Sequence, residues 1–213
     1  MQNESGVSVQ MKITREMILR KAFAVYLEHG YSDASVSMLQ QKMNIGRASM
    51  YYYFQSKEEL FREMINRFVV EEWCKAAGRL NSAVASLRDL LEALVEQYRH
   101  IRQMIEENAP GADMSNLSAL ILNAYVRDDS FRMLMTESRR EIAGKLRAAI
   151  LNGVRSGELP PDVDVEKAVT LFADMKDNSE SGGGVRRSTD EDVSAFRDML
   201  FYLYDLIRQR RGR

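Results

Sequence analysis

Apolar residues recur at helical spacing along almost the whole chain, and only three prolines stand available to interrupt them. Pro110, Pro160 and Pro161 all fall outside the periodic stretches. Proline removes a backbone donor and clashes with the preceding turn, so this distribution leaves long segments free to be helical. No segment shows the period-two alternation of a half-buried strand. The expectation is an all-α fold. With 213 residues, 45% of them hydrophobic, the chain has material for a sizeable core in one or two small domains.

Start and stop signals divide the chain into roughly nine helices. The first is expected from about Thr14 to His29, with Ile18, Ala22, Val25 and Tyr26 inward and Gly30 as its left-handed stop. Ser35 caps a short helix carrying Val36, Leu39 and Met43, ended by Asn44, a residue type that tolerates the left-handed region. A second short helix spans Gly46 to Tyr53. Ser56-Lys57-Glu58-Glu59 has the S-x-x-E form of a capping box and opens a longer helix through Leu60, Phe61, Met64 and Phe68. Beyond it come a helix capped by Ser86 and ending near Pro110-Gly111, one from about Ser115 to Val126, and one from about Ser130 to Ser156 with Gly157 as terminator. Asp162 or Asp164 begins another, bearing Val165, Ala168, Val169, Phe172 and Met175. The polar, glycine-bearing stretch 177–188 reads as a flexible linker before a last helix opened by Thr189.

Composition narrows the function. The single cysteine, Cys74, excludes an intrachain disulfide and fits a reducing, cytoplasmic setting. No uncharged apolar run reaches the roughly 18 residues of a membrane span. The opening residues MQNESGVSVQMK contain no apolar stretch of signal-peptide length. With 30 cationic against 31 anionic side chains there is no global basic field, so any polyanion must be met by local charge. Two histidines and one cysteine, far apart, offer little to a transition metal. The phosphate-loop, dinucleotide, zinc-protease and nucleophile-elbow motifs are absent, so neither cofactor nor enzymatic activity is expected.

Local charge appears in one place. From Ala34 to Lys57 there are three cations, Lys42, Arg47 and Lys57, and no carboxylate. The same stretch holds two helices of about eight residues meeting at Met43-Asn44-Ile45-Gly46, the length a helix-turn-helix requires. Val36, Leu39, Met43, Ile45, Met50 and Phe54 bury one side. Arg47, Ser49, Tyr52 and Tyr53 are left for the other, where such groups donate to phosphates and base edges or rest on sugars and thymine methyls. The helix start at Lys57 also aims backbone N–H groups at any nearby phosphate. A three-helix packing unit with no DNA role would carry the same stripe.

The run from Thr14 to Leu60 resembles the DNA-binding domain of the TetR (tetracycline repressor-like) family. The resemblance rests on Ile18, Ala22 and Tyr26, on Gly30-Tyr31, on Val36 and Leu39, and on Met50-Tyr51-x-x-Phe54-x-Ser56-Lys57-x-x-Leu60. Departures are Ala34 and Gln40, where threonine and a small residue are usual, and Asn44, Gly46 and Ala48 in and after the turn. By position, the resemblance implies DNA contacts from Arg47, Ser49 and Tyr52, from Ser35 and Ser37, from the phosphate-gripping pair Tyr51 and Lys57, and from Lys12 and Thr14. It also implies a tail over 1–11, a helix-turn-helix domain over 12–58, and a body of about six helices over 59–213.

For that body the resemblance implies a homodimer formed by the last two helices and a pocket for a small-molecule effector. The last helix is too rich in large apolar groups for a lone surface helix. Val169, Phe172, Phe196, Leu200, Leu203, Tyr204 and Ile207 are therefore expected at the interface, the alternative being complete burial of this helix within one chain. Pocket candidates are Trp73, Tyr98, Met104, Tyr125, Phe131, Met135 and Phe172, and 13 methionines suit an adaptable interior. The expected activity is a one-component transcriptional regulator, a repressor that binds a palindromic operator and is released by an apolar or amphipathic effector. Two rivals stand beside it: a ligand-independent regulator controlled by a partner protein, and a helical protein–protein adaptor.

Overall fold

The computed structural model describes residues 13–75, 86–180 and 188–209. Nine α-helices and no strand occur among the described residues: α1 (Arg15–Asp33), α2 (Val36–Met43), α3 (Arg47–Tyr53), α4 (Lys57–Ile65), α5 (Leu87–Asn108), α6 (Met114–Arg127), α7 (Asp129–Ser156), α8 (Val165–Glu180) and α9 (Thr189–Gln209). α4 runs on through a π-helical turn, Asn66–Val70, into further helix at 71–75.

Local chemistry sets most boundaries. The hydroxyls of Thr14, Ser35 and Ser56 each accept from a backbone N–H three residues on, at 3.1 to 3.2 Å. At Ser56 only half of the expected box forms, because the Glu59 carboxylate accepts from the Gln55 N–H at 2.6 Å instead. Ser86 and Asp89 form the complete reciprocal box. Gly30 (φ 74°, ψ 169°) kinks α1 rather than ending it, and one more turn carries Tyr31 into the core. Asn44 (φ 53°, ψ 52°) and Gly157 (φ 79°, ψ 9°) are left-handed terminators of α2 and α7.

Two starts lie earlier than expected. Asp113 and Asp128 cap α6 and α7, two residues before the Ser115 and Ser130 of the sequence reading, whose own N–H groups they accept from. The linker is also shorter than expected. α8 continues to Glu180, so residues 177–180 are helical, while 181–187 lie outside the described residues, as does the tail 1–11.

The head, α1–α3, packs on α4 and α6 through α1. Arg15 pairs with Glu63, and Arg67 reaches Glu16 at 3.1 Å, so polar contacts flank an aromatic seam of Phe23 on Phe68 and Tyr26 on Phe61. In the body α5 packs on α9 and α7 on α8, with α6 leaning on α7. One contiguous core runs from Ile18 to Tyr204.

Candidate DNA-binding surface and body cavities

The recognition element is built from α2, the turn and α3. Leu39, Met43, Met50 and Phe54 are each no more than 1% exposed and seat the two helices against α1. Lys21 of α1 donates to the carbonyl of Met43 at 2.8 Å, satisfying an orphan acceptor at the end of α2. With Met50 inward, helical geometry turns Arg47, Ala48, Tyr51 and Tyr52 outward, and all four are exposed, Tyr52 by 81%. Arg47 lies over the Tyr51 ring at 5.7 Å. Ser49 is half-buried. Tyr53 turns back, its hydroxyl donating to the Ile13 carbonyl at 2.8 Å and its ring meeting Tyr52 edge-on at 4.9 Å. The chain ahead of α1 is thereby tied to the recognition helix.

The remaining sequence-assigned contacts among the described residues lie at the starts of α1, α2 and α4. Ser35 and Ser37 are exposed at the start of α2, and Thr14 is exposed at the start of α1. Lys12 lies outside the described residues. Lys57 is drawn onto the Tyr31 ring, 4.4 Å from its centroid, and burial lowers its ammonium below its ordinary value. Arg127 of α6 lies 4.5 Å from the same ring. The Tyr31 hydroxyl donates to Glu58 at 3.2 Å; burial, then the Glu58 charge, raises the phenol. Glu58 is itself held low by its backbone N–H and by Ser56. Ala48 was missed by sequence reasoning: a small apolar residue carries no chemical signal until its place on the outward face is seen.

The body holds three cavities of interest. An inner one of about 60 Å³ is lined by Trp73, Gln97, Met135, Ile142 and Lys176 among others. An outer cleft of about 540 Å³ between α6 and α7 is lined by Ile121, Leu122, Tyr125, Met135 and Arg139. A third, of about 590 Å³, lies where the head meets the body, between Tyr31, Arg127 and Phe131. Trp73, Tyr125, Phe131 and Met135 thus line cavities, with Trp73 stacked on Phe131 at 5.8 Å. Tyr98 and Phe172 line none of these three. Tyr98 packs on Phe196 at 4.7 Å and Phe172 is fully buried in the core. Met104 is half-buried against that core and lines none of the three.

Most of the residues expected at the interface lie inside the single chain. Val169, Phe172, Phe196, Leu200, Leu203 and Tyr204 are buried within the single chain, because α5 and α7 already cover those sides of α8 and α9; only Ile207 is half-buried. The apolar groups these two helices leave exposed are Leu171, Tyr202 and Leu206. Among the described residues no helix is long and apolar enough to cross a membrane, and no metal-binding cluster occurs.

Comparison with known proteins agrees with this geometry. The family described as bacterial regulatory proteins, tetR family, matches residues 18–64, from the first turn of α1 to the last turn of α4. The HTH-type transcriptional repressor NicS of Pseudomonas putida is 27% identical over 179 residues, covering 80% of this chain and 72% of its own. A TetR transcription regulator from Haloarcula marismortui superposes with a TM-score of 0.65 at 18% identity, covering 92% and 98% of the two chains. The regulator CifR, solved with a 26-base-pair operator duplex, superposes at 0.55 with 21% identity over 93% and 97%. The helix-turn-helix head thus carries the match to the tetR family, and the whole chain has the fold of TetR-family regulators, so what it resembles throughout is a DNA-binding transcriptional regulator.

Proposed function

We propose that the chain is a cytoplasmic repressor that binds a two-fold-related operator as a homodimer and leaves it when a small apolar or amphipathic effector enters the body. Residues 12–58 read the DNA, and 59–213 bind the effector and the second copy. The observation that carries this reading is the outward face of Arg47, Ala48, Tyr51 and Tyr52, set in a stretch free of carboxylates. Arginine and the tyrosine hydroxyls supply donors to base edges and phosphates, and the ring faces and Ala48 suit thymine methyls. Ser49 joins them from the recognition helix, and Ser35, Ser37, Lys57, Thr14 and Lys12 add further contacts to the duplex.

The comparison with NicS, named a repressor, supports the sign of regulation, and the CifR–operator complex supports the partner. Leu171, Tyr202 and Leu206 are a suitable nucleus for a two-fold interface across α8 and α9. Two recognition helices then enter successive major grooves when they stand about 34–36 Å apart, or a multiple of it. An effector that binds better to a conformation with another spacing withdraws protein from DNA by its difference in affinity for the two states.

The test is selection of duplexes from a random-sequence pool, followed by gel shifts across a salt series. Enriched inverted half-sites and a steep loss of affinity with salt are expected. Arg47→Ala and Tyr51→Phe weaken binding while sedimentation still shows a dimer. No enrichment, or affinity unchanged in both variants, overturns the assignment.

A further inference from the structure

The inner cavity and the outer cleft share Met135, Arg139 and Asp177. Arg139 Nε of α7 lies 3.1 Å from Asp177 Oδ2 of α8, so one ion pair stands on the boundary between the two spaces. Lys176 Nζ is 4.0 Å from the other carboxylate oxygen, which places Asp177 between two cations. Both ends of the Arg139 pair are partly solvated, and such a pair is worth little on its own. It is therefore easily exchanged for another carboxylate of better reach, and the guanidinium fork is shaped to hold one through two parallel bonds.

Beyond that boundary the inner cavity has an unfilled requirement. Gln97 Oε1 lines it, is buried, and accepts no hydrogen bond among the described residues. Buried polar atoms are almost always paired, so an orphan facing a cavity marks a place for a bound group. The outer cleft supplies the apolar walls, with Ile121, Leu122 and Tyr125.

We propose that the effector is an amphipathic monocarboxylate, whose acid group displaces Asp177 from Arg139 and whose apolar body lies between the outer cleft and Trp73. This rests on the effector reading above and names its ligand class. The carboxylate gains both Arg139 and Lys176 when Asp177 yields, whereas an amine must compete with those two cations for Asp177 or turn to Glu141 on the cavity wall, and an alcohol recovers neither charge interaction. Gln97 Oε1 is an acceptor, so it completes its hydrogen bonding with a water carried in beside the ligand, since the carboxylate has no donor to offer it.

Trp73 is the only tryptophan in the chain and lines the inner cavity, so its emission reports occupancy. The full chain is titrated with octanoate, octanol and octylamine, three probes of one length and three charges. Octanoate should bind about ten-fold more tightly than either of the others, a difference of about 1.4 kcal/mol. Arg139→Gln should abolish that advantage while leaving octanol within two-fold. Asp177→Asn should tighten octanoate several-fold by removing its competitor. Equal affinities, a preference for octylamine, or an octanoate affinity indifferent to Arg139→Gln overturns the ligand class and leaves the effector reading standing. If protein that still binds its selected DNA shows no emission change with any probe at millimolar concentration, the site itself is overturned. Release of DNA by a chemically different compound under those conditions would then keep the regulator reading intact.

Discussion

Arg102 of α5 and Asp192 of α9 form an ion pair inside the body, Nε to Oδ2 at 3.0 Å, with Arg102 only 1% exposed. The guanidinium also points toward the Ala112 carbonyl, and its charge reaches Asp113. Burial pushes the Asp113 carboxyl up, but hydrogen bonds from Ser115 and Asn116 together with the Arg102 charge hold it below its ordinary value. One buried cation therefore joins α5, the start of α9 and the turn that opens α6.

Removing one partner of such a pair costs more than removing the charge. Asp192→Asn leaves a desolvated guanidinium and should lower stability by about 3 kcal/mol. Arg102→Met should cost clearly less, because it removes the charge from the interior and leaves Asp192 with 15% of its side chain still exposed. Urea melts at one fixed protein concentration check the order, since the stability of an associating chain depends on its concentration. A costlier Arg102→Met than Asp192→Asn contradicts the account.

Tyr52 separates recognition from folding. It is 81% exposed and its one described side-chain partner is the edge of Tyr53. Tyr52→Ala should leave the unfolding midpoint within about 0.5 kcal/mol of the parent. Its affinity for the selected duplex should fall about ten-fold, as expected for a lost base or sugar contact of 1–3 kcal/mol. Arg47→Ala should do the same and reduce the salt slope by about one if the arginine meets a phosphate.

Ser35 holds two candidate roles, cap and DNA contact, and one pair of substitutions parts them. Its hydroxyl accepts from the Met38 N–H at 3.1 Å. Ser35→Ala removes the cap and should cost about 1 kcal/mol of stability. Ser35→Asp keeps a strong cap, so stability should hold, but it sets a carboxylate toward the phosphates and should weaken DNA binding further than Ser35→Ala does. Equal DNA affinities for the two variants would reduce Ser35 to a cap.

The helix-turn-helix was legible because its determinants are local. Ser35, Asn44 and Gly46 each act on the backbone within a few residues, and the structure has them as cap, left-handed terminator and cap. The starts of α6 and α7 were misplaced by one residue because an aspartate and a serine stand close together at each, and the aspartate caps. Apolar periodicity said that α8 and α9 hide one side, but not whether their own chain or a second copy covers it; Phe196 and Leu200 turned out to be covered from within. The same ambiguity separated Trp73 and Met135, which line a cavity, from Tyr98 and Phe172, which fill the core. Arg139, Asp177 and Gln97 gave no signal in sequence, since lone polar residues on long helices read as solvated.

Gln40 is a departure the sequence showed, and the structure leaves its amide nitrogen unpaired among the described residues. It stands where related heads carry a small residue, and that nitrogen, Nε2, is buried. An unsatisfied buried amide costs about 1–3 kcal/mol, and alanine is also the better helix former. Gln40→Ala should therefore stabilise the protein by about 1 kcal/mol in a urea melt. If it also weakens DNA binding, Gln40 is kept for a partner that arrives with the duplex; a loss of stability would mean that the amide is satisfied after all.

Tyr204 gives a prediction at high pH. Its hydroxyl donates to Glu158 at 2.6 Å, tying α9 to the turn after α7, and burial followed by that hydrogen bond pushes the phenol up to about 12. A phenol whose folded value lies above its unfolded value of about 10 stabilises the fold while it stays neutral. That contribution is complete below pH 10 and is lost as pH rises from about 10 toward 12, where the unfolded chain releases the proton more readily. Tyr204→Phe removes the bond and the titration together. The stability difference between the parent and Tyr204→Phe should thus be constant from pH 7 to about 9.5 and shrink between 10 and 12, whatever the other tyrosines contribute to both. A difference that grows with pH in that range, or stays flat through it, would show that the Tyr204 proton is not what holds α9 to Glu158.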